Sequence, residues 1–214
     1  MRDCAKRAND QPSAAATTAS KTSTTGPAMI LKSSVLGAAG EHYAMCQLLR
    51  QGLIAALAPA GVPNCDIVVT DGIGARLCAI QVKTRVAKGS DGGWHMSKKH
   101  ESLSSPTLFY VFIDLGATVT APPVSYVVPS GIVADVVHRE HAAWLAQPAK
   151  RGKPHADSEF RRFMPDYEKM GLMIGCGPGW LEPYREAWAV LTDASAATAD
   201  TDAVSAALGQ ATTA

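Results

Sequence analysis

Hydrophobic and polar positions alternate along the chain in periods that change from helix-like to strand-like and back. Leu36, Gly40, Tyr43, Ala44, Gln47 and Leu48 fall at helical spacing, and residues 41–51 are good helix formers. Ser33-Ser34 supplies a helix N-cap and Gly52 a stop. Gly37 and Gly40 weaken such a helix but let it lie close to a sheet. Three short apolar runs follow at 54–58, 65–70 and 76–84. Asp71-Gly72-Ile73-Gly74 joins the last two, which predicts a β-hairpin. Residues 86–105 hold Gly92-Gly93 and a short helix from Ser97. The run Leu-Phe-Tyr-Val-Phe-Ile beginning at Leu108 is continuously apolar and predicts a strand buried on both faces. Another strand at 125–128 stops at Pro129, and Ser130 caps a helix to about Leu145. After a polar loop at 147–158, residues 160–191 carry Phe163, Tyr167, Trp180, Tyr184 and Trp188 and read as a packed helical extension. The order helix, three strands, helix, strand, strand, helix predicts an α/β fold with a mixed sheet.

The two ends behave differently. Residues 1–28 are Ala, Thr, Ser and Lys without periodicity and read as a disordered tail, and 193–214 as a flexible tail. The expected folded body is one domain over 29–192, with its core at 33–130 and the helical extension at 131–192. Lys and Arg number 20 against 19 Asp and Glu, for a formal net charge of +1. A generally basic surface is thereby excluded, and any nucleic-acid contact must rest on local charge. No run approaches the roughly 18 apolar residues of a membrane helix, and no apolar stretch backs the N-terminal Arg2, Lys6 and Arg7. A cytoplasmic location is the expectation. The five cysteines are widely spaced without a C-x-x-C, which fits free thiols and argues against structural zinc.

Candidate chemistry lies on the hairpin. In a strand over 76–84, Gln81 and Lys83 share one face while Ile80 and Val82 take the other. An ammonium at the end of an apolar strand needs an anionic partner or a solvent cleft. Asp66 opens the preceding strand, and 66 and 83 are nearly symmetric about the turn at 71–75. A carboxylate, a carboxamide oxygen and an ammonium then converge. Asp66 and the Gln81 oxygen suit a hard divalent cation, Lys83 can orient water or offset charge, and Glu41 on the first helix can add a ligand.

Asp66 followed by Gln81-x-Lys83, with Gly40-Glu41 on the leading helix, resembles the PD-(D/E)xK nuclease superfamily. These are restriction-endonuclease-like and Holliday-junction-resolvase-like enzymes. The resemblance spans about Ser33 to Ser130. It implies an α-β-β-β-α-β core, a Mg²⁺ or Mn²⁺ cofactor, and endonucleolytic hydrolysis of DNA phosphodiester bonds. By position, Asp66 is the central metal ligand, Gln81 the second acidic-type position, Lys83 the catalytic lysine and Glu41 the helix glutamate. Gln81 departs from the usual acid and removes one negative charge from the site. An inactive nuclease-like domain that binds nucleic acid or a protein partner is the alternative this raises. Double-strand cutters of this kind are often dimers, which makes a homodimer one expectation.

Arg85, Lys88, Lys98 and Lys99, with Trp94 among them, form a basic segment beside the site that could hold phosphates and stack a base. A solvated loop with Trp94 as a core anchor fits the same residues. His95 and His100 are candidate proton shuttles. Arg161-Arg162 and Lys150, Arg151 and Lys153 could extend a DNA path.

Overall fold

The structure, a computed structural model, describes residues 32–86, 92–148 and 152–192. Both predicted tails, Lys88, and Lys150 and Arg151 lie outside the described residues. Helix α1 (Ser33–Arg50) is followed by β1 (Ile54–Leu57), β2 (Ile67–Thr70) and β3 (Leu77–Arg85). Next come β4 (Trp94–Ser97), a 3₁₀ turn (Lys98–Glu101), β5 (Leu108–Asp114), β6 (Val124–Pro129), helix α2 (Ser130–Ala146) and β7 (Phe160–Phe163). Five strands form one sheet in the order β1-β2-β3-β5-β6. The β3–β5 pair is parallel and the others antiparallel, so the sheet is mixed, as the pattern of elements predicts.

Each face of the sheet has its own core. Ala44 and Leu48 of α1 pack with Ile67, Val69, Cys78, Ile80, Val82, Phe109 and Val111. On the other face Tyr110, Phe112 and Val128 pack with Val133, Val136 and Val137 of α2 and with Trp94 and Phe163. Strand β5 serves both, with six consecutive buried residues, because alternate side chains of a central strand enter opposite layers.

Local chemistry explains the connections. Gly52 takes a left-handed φ of 78° just past α1, where a side chain would strain the backbone. In the β2–β3 turn, Asp71 Oδ1 accepts from the amides of Ile73 and Ala75 at 3.2 and 2.8 Å, an Asx turn that fixes the hairpin register. Gly40 is where α1 meets β3. A Cβ there would lie 1.8 Å from Thr84 Oγ1, so the close approach requires glycine. Gly37 has open space around its Cβ position and plays no part in it.

Three expectations are corrected. Helix α1 has Lys32 at its N-cap without a side-chain hydrogen bond; Ser33 is already helical. Residues 94–97, read as loop, form β4 and pair antiparallel with β7 in a separate two-stranded ribbon. The segment 160–191 is not helical: beyond β7 it holds only short 3₁₀ turns. Pro165, Pro178 and Pro183 remove donors, and Gly171, Gly175 and Gly179 have φ of 72–82°, both incompatible with a continuous helix. Tyr184 therefore packs on the α2 face and Trp188 on the α1 face, although their spacing suggested one helical stripe. Glu186 (φ 49°) anchors this segment. Its Oε1 accepts from Ser125 N and Oγ at 2.9 and 2.7 Å, and its Oε2 from Trp188 Nε1 at 2.9 Å.

Candidate active site

The β2–β3 register pairs Ile67 with Ile80. Asp66, one residue before β2, is therefore level with Gln81 rather than with Lys83. Its backbone amide donates to Ile80 O at 2.8 Å, which extends the ladder to the site. Asp66 Oδ2 accepts the Val82 amide at 2.7 Å and a hydrogen bond from Gln81 Nε2. Gln81 is 8% exposed, so this carboxamide is satisfied inside the protein rather than by water.

Lys83 lies two residues further along the same face of β3. Burial holds its ammonium below the usual lysine range; Asp66 acts in the opposite sense, and Lys99 pushes it further down. Glu41 sits on α1, next to the glycine that packs on Thr84. Burial raises its carboxyl above the usual range, and Asp66 adds to the rise. The two carboxylates are thus close enough to feel one another. The structure puts Asp66, Gln81 and Lys83 on one side of the hairpin, and Glu41 is linked to them by its charge interaction with Asp66.

The parallel partner strand completes the surroundings. Tyr110 is level with Gln81 in the β3–β5 register and is fully buried. Its hydroxyl lies 2.6 Å from His100 Nδ1. Burial, then Lys83 and Lys99, push the His100 imidazole down to about 4, so at neutral pH it is uncharged. Burial raises the Tyr110 phenol, which keeps its proton. A histidine 1% exposed and tied in this way supports the wall of the site and is poorly placed as a proton shuttle. Neighbouring Lys99 is exposed, and its Nζ donates to Asn64 Oδ1 at 2.8 Å. Asn64 is in the left-handed region (φ 62°), a conformation asparagine tolerates better than most residues.

The basic segment is dispersed by the fold. Trp94 is 1% exposed, stacks in the core against Phe112 and Phe163, and donates its Nε1 to Ile113 O at 2.9 Å. It cannot stack on a base. Arg85 lies 4.1 Å over the Trp94 ring and pairs with Asp114 at 2.8 Å. Lys98 pairs with Asp157 at 2.7 Å. Arg161, 2% exposed, is held by Glu101 and Asp157, which removes it from any DNA path. Of the described residues in that segment, Lys99 is the one whose charge acts on Lys83. Sequence reasoning missed Asn64 and Tyr110. Asn64 carries a faint signal, two residues before Asp66, whereas Tyr110 is hidden in an apolar run.

Among the described residues no three His, Cys, Asp or Glu side chains gather into a metal-binding group. No helix of the described residues is long and apolar enough to cross a membrane, and Cys46, Cys65, Cys78 and Cys176 are free thiols. No protein-family model matches the chain, and no curated protein matches it. Among solved structures, the bacterial homing endonuclease I-Ssp6803I is similar over 78% of this chain and 96% of its own, at 15% identity and a TM-score of 0.45. A likeness at that level assigns neither activity nor site residues.

Proposed function

We propose that the protein is a metal-dependent endonuclease that hydrolyses DNA phosphodiester bonds, with Asp66, Gln81, Lys83 and Glu41 as its active site. The observation that carries this reading is the contact of Gln81 with Asp66 across the hairpin, with Lys83 next on the same face. The donors are all hard oxygens, which suits Mg²⁺ or Mn²⁺. Asp66 and Glu41 would hold such a cation, with the Gln81 amide oxygen as third donor once the amide turns its nitrogen away. A divalent cation of this kind lowers the pKa of bound water and neutralises phosphoryl oxygens when present.

The protein's own groups divide the remaining work. The Val82 amide fixes the Asp66 carboxylate in one orientation, which pre-organises it as a ligand. Lys83, its charged form disfavoured by burial, can share a proton with an attacking water or offset charge on the scissile phosphate. The neutral His100–Tyr110 pair keeps a polar but uncharged wall behind it.

A cleavage assay over supercoiled, linear, branched and single-stranded DNA with Mg²⁺ or Mn²⁺ tests the reading. Metal-dependent nicking that disappears in Asp66→Ala and Lys83→Ala is expected; cleavage that survives both substitutions overturns it. The Gln81–Asp66 hydrogen bond also favours a second reading, a catalytically silent nuclease-like domain that binds nucleic acid or a protein partner. There the amide N–H permanently takes the place of a cation, and DNA affinity would persist with no metal-dependent cutting.

A further inference from the structure

Six residues border the site in three hydrogen-bonded pairs, linked into a circuit by strand register and chain neighbours. Asp66 is bonded to Gln81. Gln81 is level with Tyr110 on the neighbouring strand, and Tyr110 is bonded to His100. His100 follows Lys99, Lys99 is bonded to Asn64, and Asn64 stands two residues before Asp66. The circuit joins the 3₁₀ turn of Lys98–Glu101 to the loop that leads into β2. Most of it is buried or tied to backbone, but the Lys99–Asn64 link is an exposed hydrogen bond.

We propose that Lys99 is a second phosphate-binding lysine, parked on Asn64 in the free protein and transferred to a DNA phosphate when substrate enters beside Lys83. This rests on the nuclease reading above and adds to it a substrate-gripping residue and its resting place. A solvent-exposed bond from an ammonium to a neutral amide is cheaply exchanged, because water offers the ammonium the same kind of partner. A phosphate adds an opposite charge to the hydrogen bond, which the neutral amide lacks. Tyr110 and His100 hold the backbone of the turn, so Lys99 need only rotate its side chain. The Asn64 bond, two residues before Asp66, and the bond of the adjacent His100 to Tyr110 place Lys99 at the border of this site. The carboxamide of Asn64, neutral and in a fixed left-handed turn, holds the lysine without competing for it as a carboxylate would.

Binding of a short labelled DNA duplex in metal-free buffer, measured by fluorescence anisotropy over a salt series, tests the proposal on the full chain. Lys99→Ala should weaken affinity about 10-fold at low salt and reduce the salt slope by about 1, the signature of one lost phosphate contact. Lys99→Arg should retain the slope. Asn64→Asp should weaken binding in the wild-type background, by holding Lys99 in an ion pair, and have much less effect in the Lys99→Ala background. If the wild type binds and cuts DNA while Lys99→Ala binds with unchanged affinity and slope, the proposal is overturned and the nuclease reading stands. Equal losses from Asn64→Asp in both backgrounds overturn the parking role. A wild type that neither binds nor cuts DNA overturns the nuclease reading itself.

Discussion

The carboxamide nitrogen of Gln81 donates to the same Asp66 oxygen that takes the Val82 amide. An acid at 81 would place two carboxylates against one another in the metal-free protein, each raising the other's pKa. The glutamine instead gives a pocket that is internally satisfied without a cation. A metal that uses the amide oxygen must first displace this hydrogen bond.

Gln81→Glu should therefore destabilise the metal-free protein by roughly 1–3 kcal/mol, through the lost donor and the new repulsion. The same substitution should strengthen Mg²⁺ binding and preserve or raise cleavage. Thermal melts with chelator and across a Mg²⁺ titration check both halves. An unchanged metal response would show that residue 81 does not face the cation.

The contact of Gly40 with Thr84 makes a second expectation. Gly40→Ala forces a methyl to within 1.8 Å of Thr84 Oγ1 and should cost roughly 1–3 kcal/mol by overpacking, while moving Glu41 away from Asp66. Gly37→Ala, with open space at its Cβ, should stabilise α1 by about 0.5–1 kcal/mol. Urea unfolding of the two variants should give opposite signs.

His100 ties stability to acid. Its imidazole is lowered from 6.5 to about 4 in the folded protein, so the fold favours the neutral ring. Its contribution is present above pH 6.5 and is lost as pH falls through about 4. The full effect is on the order of 3 kcal/mol. His100→Gln should flatten the fall in stability over that window, measured by urea unfolding at stepped pH.

Glu140 acts in the opposite direction. It is 5% exposed, and burial raises its carboxyl from 4.5 to about 7, against the pull of Arg162 and Arg161. The folded state favours the protonated form, so its contribution is complete below pH 4.5 and lost as pH rises through 7. Glu140→Gln should stabilise the protein at pH 8 and change little at pH 4. The two slopes oppose one another between pH 4.5 and 6.5, and either substitution alone should expose the other.

Much of the site was legible because its rule is local. Strand alternation puts Gln81 and Lys83 on one face wherever the strand lies, and the Asp71 turn brings Asp66 alongside. The sequence by itself determined α1, the hairpin strands, α2, the doubly buried β5 and the glycine contact of α1, since periodicity and backbone sterics act within a few residues. Tertiary structure decided the rest. It set Asp66 level with Gln81 instead of Lys83, because register follows from the whole ladder. It drew Trp94 into the core and gave Arg85, Lys98 and Arg161 acidic partners, so a run of bases in the chain is not a basic surface. It paired β4 with the distant β7, and it delivered His100 and Lys99 to the site through a buried bond to Tyr110. These are contacts between segments far apart in the chain, fixed by packing and by the need of buried polar groups for partners, and no local pattern encodes them.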